Sequence, residues 1–208
     1  MARLSPARRR SAIVDAAVDV MLRRGMAATV RDVAEQMGSS SGLIHHYFAS
    51  MDDLLAAAFE QAASRDLDTT REAMAGCDGA VSQLRTFFAT YARAEQDWAF
   101  QLWLDAWAET ARRPAVRATS ERLNVEWQRL LADAVRAGVT DGVLSCDDPD
   151  AAAWRMLSLL DGLALQTVAH PDVIDRGAVV SWSVAYAERE LDLSPGTLAP
   201  TPVVAPTR

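Results

Sequence analysis

Apolar residues recur at spacings of three and four along almost the whole chain, and no sustained alternating apolar run bounded by turn residues interrupts them. A period near 3.6 lays such residues along one face of a helix, whereas a half-buried strand needs a period of two. The pattern therefore predicts an all-α fold. Half of the 208 residues are hydrophobic and 24% are charged, enough apolar surface for a core and too much for global disorder. No apolar run reaches the roughly 18 residues a membrane span needs, and the opening Met1-Ala2-Arg3-Leu4-Ser5-Pro6 leads into Arg8-Arg9-Arg10 rather than into an apolar signal core. A cytoplasmic protein with no membrane partner is expected. Cys77 and Cys146 stand far apart in no metal-ligand spacing, which suits two free thiols in a reducing compartment.

Caps and glycines punctuate the helical pattern. A first helix is predicted from about Pro6 to Arg24, with Ile13, Ala16, Ala17, Val20 and Met21 on one face and Gly25 as its stop. Thr29-Val30-Arg31-Asp32 has the form of a capping box, so a short helix starts there and turns Val33, Ala34 and Met37 inward until Gly38 breaks it. Ser39-Ser40-Ser41 supplies hydroxyl caps for a helix from Gly42 to Phe48, whose Ile44 and Phe48 share a buried face. Ser50-Met51-Asp52-Asp53 is a second capping box, opening a helix to about Arg71. Gly76 and Asp78-Gly79 mark a break. Further helices are predicted at about 80–94, 96–111, 114–137, 149–169 and 173–191, with Pro114 and Pro149 at starts and Gly138 and Asp141-Gly142 at a stop and turn. The expected organisation is a small N-terminal domain over 1–52, a larger helical domain over 53–193, and a disordered, proline-rich tail over 194–208.

Two short helices joined by a glycine-containing turn describe a helix-turn-helix, here Val30 to Met37, Gly38-Ser39, then Ser40 to Phe48. The small hydroxyl residues at the start of the second helix permit close backbone approach to a phosphate. An ordinary pair of core helices has the same spacing. The formal charge of −7 is unevenly spread, however: residues 1–48 carry seven Arg against four acids, a balance of +3, and the remainder carries −10. A basic end on an acidic chain suits a nucleic-acid-binding head.

The residues Ile13-Val14, Ala16-Ala17, Gly25, Thr29 to Ala34, Gly38 to Gly42, Tyr47-Phe48 and Leu54 together resemble, in register over about fifty positions, the headpiece of the TetR family. That resemblance implies a three-helix DNA-binding domain with Arg31, Ser40, Ser41, Gly42 and Leu43 at or near base edges and Thr29, His45 and Tyr47 at phosphates. Three positions depart from the family pattern: Ser39 replaces a usual valine, His45 a usual tyrosine, and Met51 a usual phosphate-binding lysine. Loss of one lysine removes one phosphate ion pair and flattens the salt dependence by about one unit of slope. Arg8 to Arg10 suit nonspecific phosphate contacts or none.

Trp98, Phe100, Trp103 and Trp107 fall within ten residues, and Trp127 and Trp154 follow. Such rings fill cores or wall a pocket. Asp97-Trp98, Trp107-Ala108-Glu109, Pro114, Arg122, Trp127, Gly138, Gly142, Asp148-Pro149 and Leu160 to Leu163 are similar to the C-terminal domain of the BetI-type, choline-responsive TetR subgroup. The resemblance implies a small-molecule effector, cationic if ring faces and carboxylates receive it, with Trp98, Trp103, Trp107, Trp127 and Asp161 as candidate ligand-binding residues. The helices near 151–168 and 173–191, with Met156, Leu159, Leu160 and Leu163 and with Val179, Val180, Trp182, Val184 and Tyr186, suit a four-helix homodimer interface or the packing of the domain's own core.

The reading is a homodimeric regulator that represses from a palindromic operator until a small molecule releases it. The alternative is a helical ligand-binding or adaptor dimer with weak or lost DNA binding. No glycine-rich phosphate loop, nucleophile elbow or zinc-type spacing occurs, so neither catalysis nor a cofactor or metal is expected.

Overall fold

The structure, a computed structural model, describes residues 5–92 and 97–200. Among them the chain forms nine α-helices, one 3-10 turn at Gly25–Ala27, and no strand. In order these are α1 (Pro6–Arg24), α2 (Val30–Gln36), α3 (Ser41–Tyr47), α4 (Met51–Ala75), α5 (Ala80–Tyr91), α6 (Asp97–Glu109), α7 (Pro114–Thr140), α8 (Pro149–Ala169) and α9 (Arg176–Glu190). None is long and apolar enough to cross a membrane.

The chain divides into two compact units. One draws on Met1–Asp66 and Gln101–Asn124, the other on Leu67–Phe100 and Val125–Arg208. Within the first unit α6 packs on the apolar face of α4. Phe59 on that face is completely buried, its ring 5.1 Å from Trp103 of α6 in an edge-on contact. Arg122 of α7 pairs with Glu60 at 2.8 Å.

Within this unit α1 buries Ile13, Val14, Ala16, Ala17, Val20 and Met21, the face expected from their spacing. Gly25 then takes φ 62° and ψ −156°, a region open essentially to glycine alone. A Cβ there would also stand 2.6 Å from a carboxylate oxygen of Asp105, so the turn after α1 and the face of α6 meet where only a hydrogen fits. Arg113 donates to the carbonyl of Met26 at 3.2 Å, and the Asp52 carboxylate accepts the Ala115 N–H at 3.0 Å, capping α7. The 3-10 turn has no counterpart in the sequence reading.

In the second unit Leu84, Phe87, Phe88, Leu131, Val135 and Leu160 are fully or almost fully buried. Asp148 and Asp175 cap α8 and α9 by accepting the Ala151 and Ala178 N–H groups. Gly138, expected as a stop, lies inside α7, where a Cβ would fall 2.4 Å from Leu144 Cδ1 and 2.8 Å from the Ala80 Cβ. The stop is Gly142, at φ 70°. Of the two uses foreseen for the last helices, core packing takes Met156, Leu160, Val179, Val180 and Val184, all buried in their own chain. The large apolar side chains of α8 and α9 that remain exposed are Trp154, Leu165 and Trp182.

The residues expected to begin a disordered tail are folded up to Pro200. Glu188, 4% exposed, accepts the Gly196 and Leu198 N–H groups at 3.0 and 2.7 Å, and Arg85 donates to the Thr197 carbonyl at 2.7 Å. Leu198 is fully buried. These anchors lie outside the segment, which is why its own proline-rich composition did not reveal them. The rest of the expected tail, 201–208, lies outside the described residues.

Candidate nucleic-acid interface and ligand-binding residues

The short helices α2 and α3 are held by their caps. Thr29 and Asp32 form the reciprocal box: the Thr29 N–H donates to the Asp32 carboxylate at 2.9 Å, and the Asp32 N–H donates to the Thr29 hydroxyl at 3.2 Å. The hydroxyl also donates its proton to that carboxylate at 2.7 Å. These bonds to Thr29, aided by the charges of Arg24 and Arg31, hold the Asp32 carboxyl below its ordinary range. The turn closes as Gly38, at φ 59°, and Ser39 donate to the Glu35 and Ala34 carbonyls. Ser40 then accepts the Leu43 N–H, so α3 begins at Ser41, one residue before the expected start.

Ile44 and Phe48 are buried, and this fixes which side of α3 is left outward. Ser40, Ser41, Gly42 and His45 are exposed on it, and Leu43 and Tyr47 are half-buried. Arg31 and Thr29 are exposed on α2 and its cap. Arg31 makes no hydrogen bond or ion pair among the described residues, whereas Arg24 pairs with Asp32 at 2.8 Å and Arg23 donates to Gln36 at 2.8 Å. All eight candidate DNA-contacting residues thus belong to the α2–α3 segment and keep some solvent access. Thr29 differs from the rest in that its hydroxyl proton already points at Asp32. Its N–H does too, so any phosphate bond competes with the cap. Arg10, read as a phosphate contact or none, lies with its guanidinium 4.8 Å over the Phe48 ring and steadies the end of α3.

The five candidate ligand-binding residues do not fall in one unit. Trp103 and Trp107 belong to the first, their rings 5.5 Å apart. Trp98, Trp127 and Asp161 belong to the second. Trp127 is 4% exposed, packed 6.1 Å from Phe87 and 6.3 Å from Tyr91, and serves as core. Tyr91 stacks at 5.9 Å on Phe100. Asp161 is half-buried, makes no hydrogen bond or ion pair among the described residues, and has the buried Leu157 and Ala164 one turn away on either side. Desolvation pushes its carboxyl up to about 7. Asp66 of α4, which sequence reasoning passed over, is pushed up to about 6 for the same reason. Nothing in its sequence neighbourhood distinguishes it from the solvated Asp68 two positions on. No group of three or more His, Cys, Asp or Glu side chains suited to a metal occurs among the described residues.

Two family models match. Residues 13–58 match the model for bacterial regulatory proteins of the tetR family, and residues 78–192 match the C-terminal domain of the BetI-type transcriptional repressors. The chain is 31% identical over 193 residues to the HTH-type transcriptional regulator BetI of Paraburkholderia phytofirmans, covering 86% of this chain and 92% of that protein. It is 28% identical over 199 residues to BetI of Rhizobium meliloti, covering 94% and 96%. Its fold is similar to the crystal structure of a transcriptional regulator from Pseudomonas aeruginosa PAO1, with a TM-score of 0.76, 27% identity, and 90% and 92% of the two chains covered. A transcriptional regulator from Saccharomonospora viridis, solved in complex with choline, superposes with a TM-score of 0.79 at 22% identity, covering 89% and 98%.

Proposed function

This chain belongs to the TetR family of bacterial transcriptional regulators, with a BetI-type C-terminal domain, and from that premise we propose how its own residues bind an operator and sense a ligand. It is a DNA-binding regulator of the repressor type and not an enzyme. In the proposal α3 enters the major groove with Ser40, Ser41, Gly42 and Leu43 nearest the bases. Arg31 approaches from α2, where a guanidinium reaches guanine O6 and N7 in a bidentate pair, and Thr29, His45 and Tyr47 lie along the phosphates. The observation that carries this reading is the outward α2–α3 face, exposed at Arg31, Ser40, Ser41, Gly42 and His45 and set on the buried Ile44 and Phe48.

Two heads must stand about 34 Å apart to read the halves of a palindrome. The exposed Trp154 and Leu165 of α8 and Trp182 of α9 support this pair of helices as the contact with a second copy, since apolar side chains of that size gain most from being covered. For the effector we assign a small organic cation paired with Asp161, a carboxylate that has no hydrogen-bond or ion-pair partner among the described residues. Choline, held by the Saccharomonospora protein, is the natural first probe. The long helix α4, which follows the reading head, carries the response, and a coupling of about 1 to 3 kcal/mol suffices for a useful switch.

Selection of DNA from a random pool by the purified protein tests the reading. A two-fold symmetric consensus is expected, and Arg31→Ala should weaken binding to it by roughly 5- to 150-fold while relaxing one base position in each half-site. Recovery of no consensus, or an Arg31→Ala protein that binds unchanged, would instead favour a helical adaptor that has lost DNA binding.

A further inference from the structure

The helices that form the candidate DNA face are short of positive charge. Over residues 25–59, which take in α2, α3 and the start of α4, the chain has one Arg, Arg31, and no Lys, against the carboxylates of Asp32, Glu35, Asp52 and Asp53. A surface that binds a polyanion gains affinity by replacing phosphate counterions with its own cations. The nearest source along the chain is α1, with Arg8, Arg9, Arg10, Arg23 and Arg24. The two at its C-terminal end are engaged within the head: Arg24 pairs with Asp32 and Arg23 donates to Gln36, both at 2.8 Å. From the other end of α1, Arg10 reaches α3. Its guanidinium carbon lies 4.8 Å from the centre of the Phe48 ring, and Phe48 ends α3, its N–H donating to the Ile44 carbonyl at 3.0 Å.

Phe48 is 5% exposed and its ring is a fixed platform, whereas Arg10 is open to solvent. A ring face holds a guanidinium through its charge and takes up none of its N–H donors in a conventional hydrogen bond. No carboxylate among the described residues stands within ion-pair distance of Arg10, and the side chains of residues 1–4 contain none. The position suits a phosphate. With Ser40, Ser41, Gly42 and Leu43 nearest the bases, the seven-residue α3 carries Phe48 about 10 Å further along its axis. The major groove is about 12 Å wide, so a cation at that end meets the phosphate wall rather than base edges.

We propose that Arg10 is a phosphate-contacting residue of the operator complex, held at the end of α3 by the face of Phe48. The inference rests on the DNA-binding reading above and adds to it a cation that α2 and α3 do not themselves supply. The ring restricts a long side chain before DNA arrives, so less rotamer freedom is lost when the phosphate is bound. Because the contact is to the backbone, it adds affinity on any sequence, in contrast to Arg31, whose proposed partner is a base.

The test is binding of the full-length protein to two duplexes, one carrying the consensus from the random pool and one of the same composition in scrambled order, from about 50 to about 300 mM KCl. Arg10→Gln should flatten the plot of log K against log salt by about 0.9 for each head on the DNA, and at about 0.1 M salt should weaken both duplexes by on the order of tenfold per head. Arg10→Lys keeps the charge and should keep the slope. Phe48→Leu should weaken the unaltered protein about 2- to 5-fold more than it weakens the Arg10→Gln protein. If Arg10 only braced α3, Arg10→Gln would lower affinity at an unchanged slope and would lower it more on the consensus than on the scrambled duplex. Either result overturns the proposal, and equal losses from Phe48→Leu in the two backgrounds overturn the part given to the ring. An unaltered protein that binds neither duplex would refute the DNA-binding reading itself, and this proposal with it.

Discussion

Replacing Asp161 by Asn should stabilise the protein at neutral and alkaline pH and leave it unchanged in acid. The carboxyl titrates at about 7 in the folded chain against an ordinary 3.8, so between those values the folded protein keeps a proton that the unfolded chain has lost. Unfolding then releases a proton, and the contribution of this group to stability falls as pH rises from about 4 to about 7, staying level above. The full difference corresponds to about 4 kcal/mol, and solvent reaching the half-buried side chain lowers this to about 2 to 4 kcal/mol. Asparagine preserves the shape and cannot ionise. Thermal unfolding followed by circular dichroism from pH 4 to pH 8 should therefore show two curves that meet at the acid end. At pH 8 they should stand roughly 5 to 15 °C apart, with the variant the more stable. The same carboxylate must be ionised to pair with a cation, so choline affinity should fall about tenfold for each pH unit below 7 and be lost in the Asn variant. A gap of equal size at pH 4 and pH 8, or a variant less stable at pH 8, would refute the reasoning that burial without a partner governs this group.

Two smaller perturbations probe the reading head. Thr29→Ala removes one half of the capping box and should cost about 1 kcal/mol, seen as a melting point lowered by about 2 to 4 °C, while Thr29→Ser retains most of it. Gly25→Ala forces a side chain into a glycine-only conformation and against Asp105, and should destabilise by about 1 to 3 kcal/mol in chemical unfolding; adding Asp105→Ala should recover only the steric part.

Local chemistry made much of this protein readable in advance. The limits of α1, the capping box at Thr29, the Ser50 hydroxyl cap that accepts the Asp53 N–H, and the prolines opening α7 and α8 depend on residues within a turn of one another, so short-range sequence determines them. The buried faces of α1 and α3 follow in the same way from apolar spacing. The outward position of Arg31, Ser40, Ser41 and Gly42 is then the complement of those faces, which is why a candidate DNA surface could be named from the sequence. Contacts between distant parts of the chain were not legible. Gly138 reads as a helix stop until Ala80 and Leu144 are brought against it, and Ser194–Pro200 reads as a tail until Glu188 and Arg85 hold it. The tryptophans show the same limit: their spacing says neither which ring is buried nor in which unit it lies, and the structure buries Trp127, leaves Trp154 and Trp182 exposed, and assigns Trp103 and Trp127 to different units. By itself, the sequence determined the helices, their caps and the face they turn to water, because those are settled by bonds spanning a few residues. Only the tertiary structure decided which acids lose their water and which loops find anchors, because desolvation and long-range hydrogen bonds depend on what the rest of the chain places nearby.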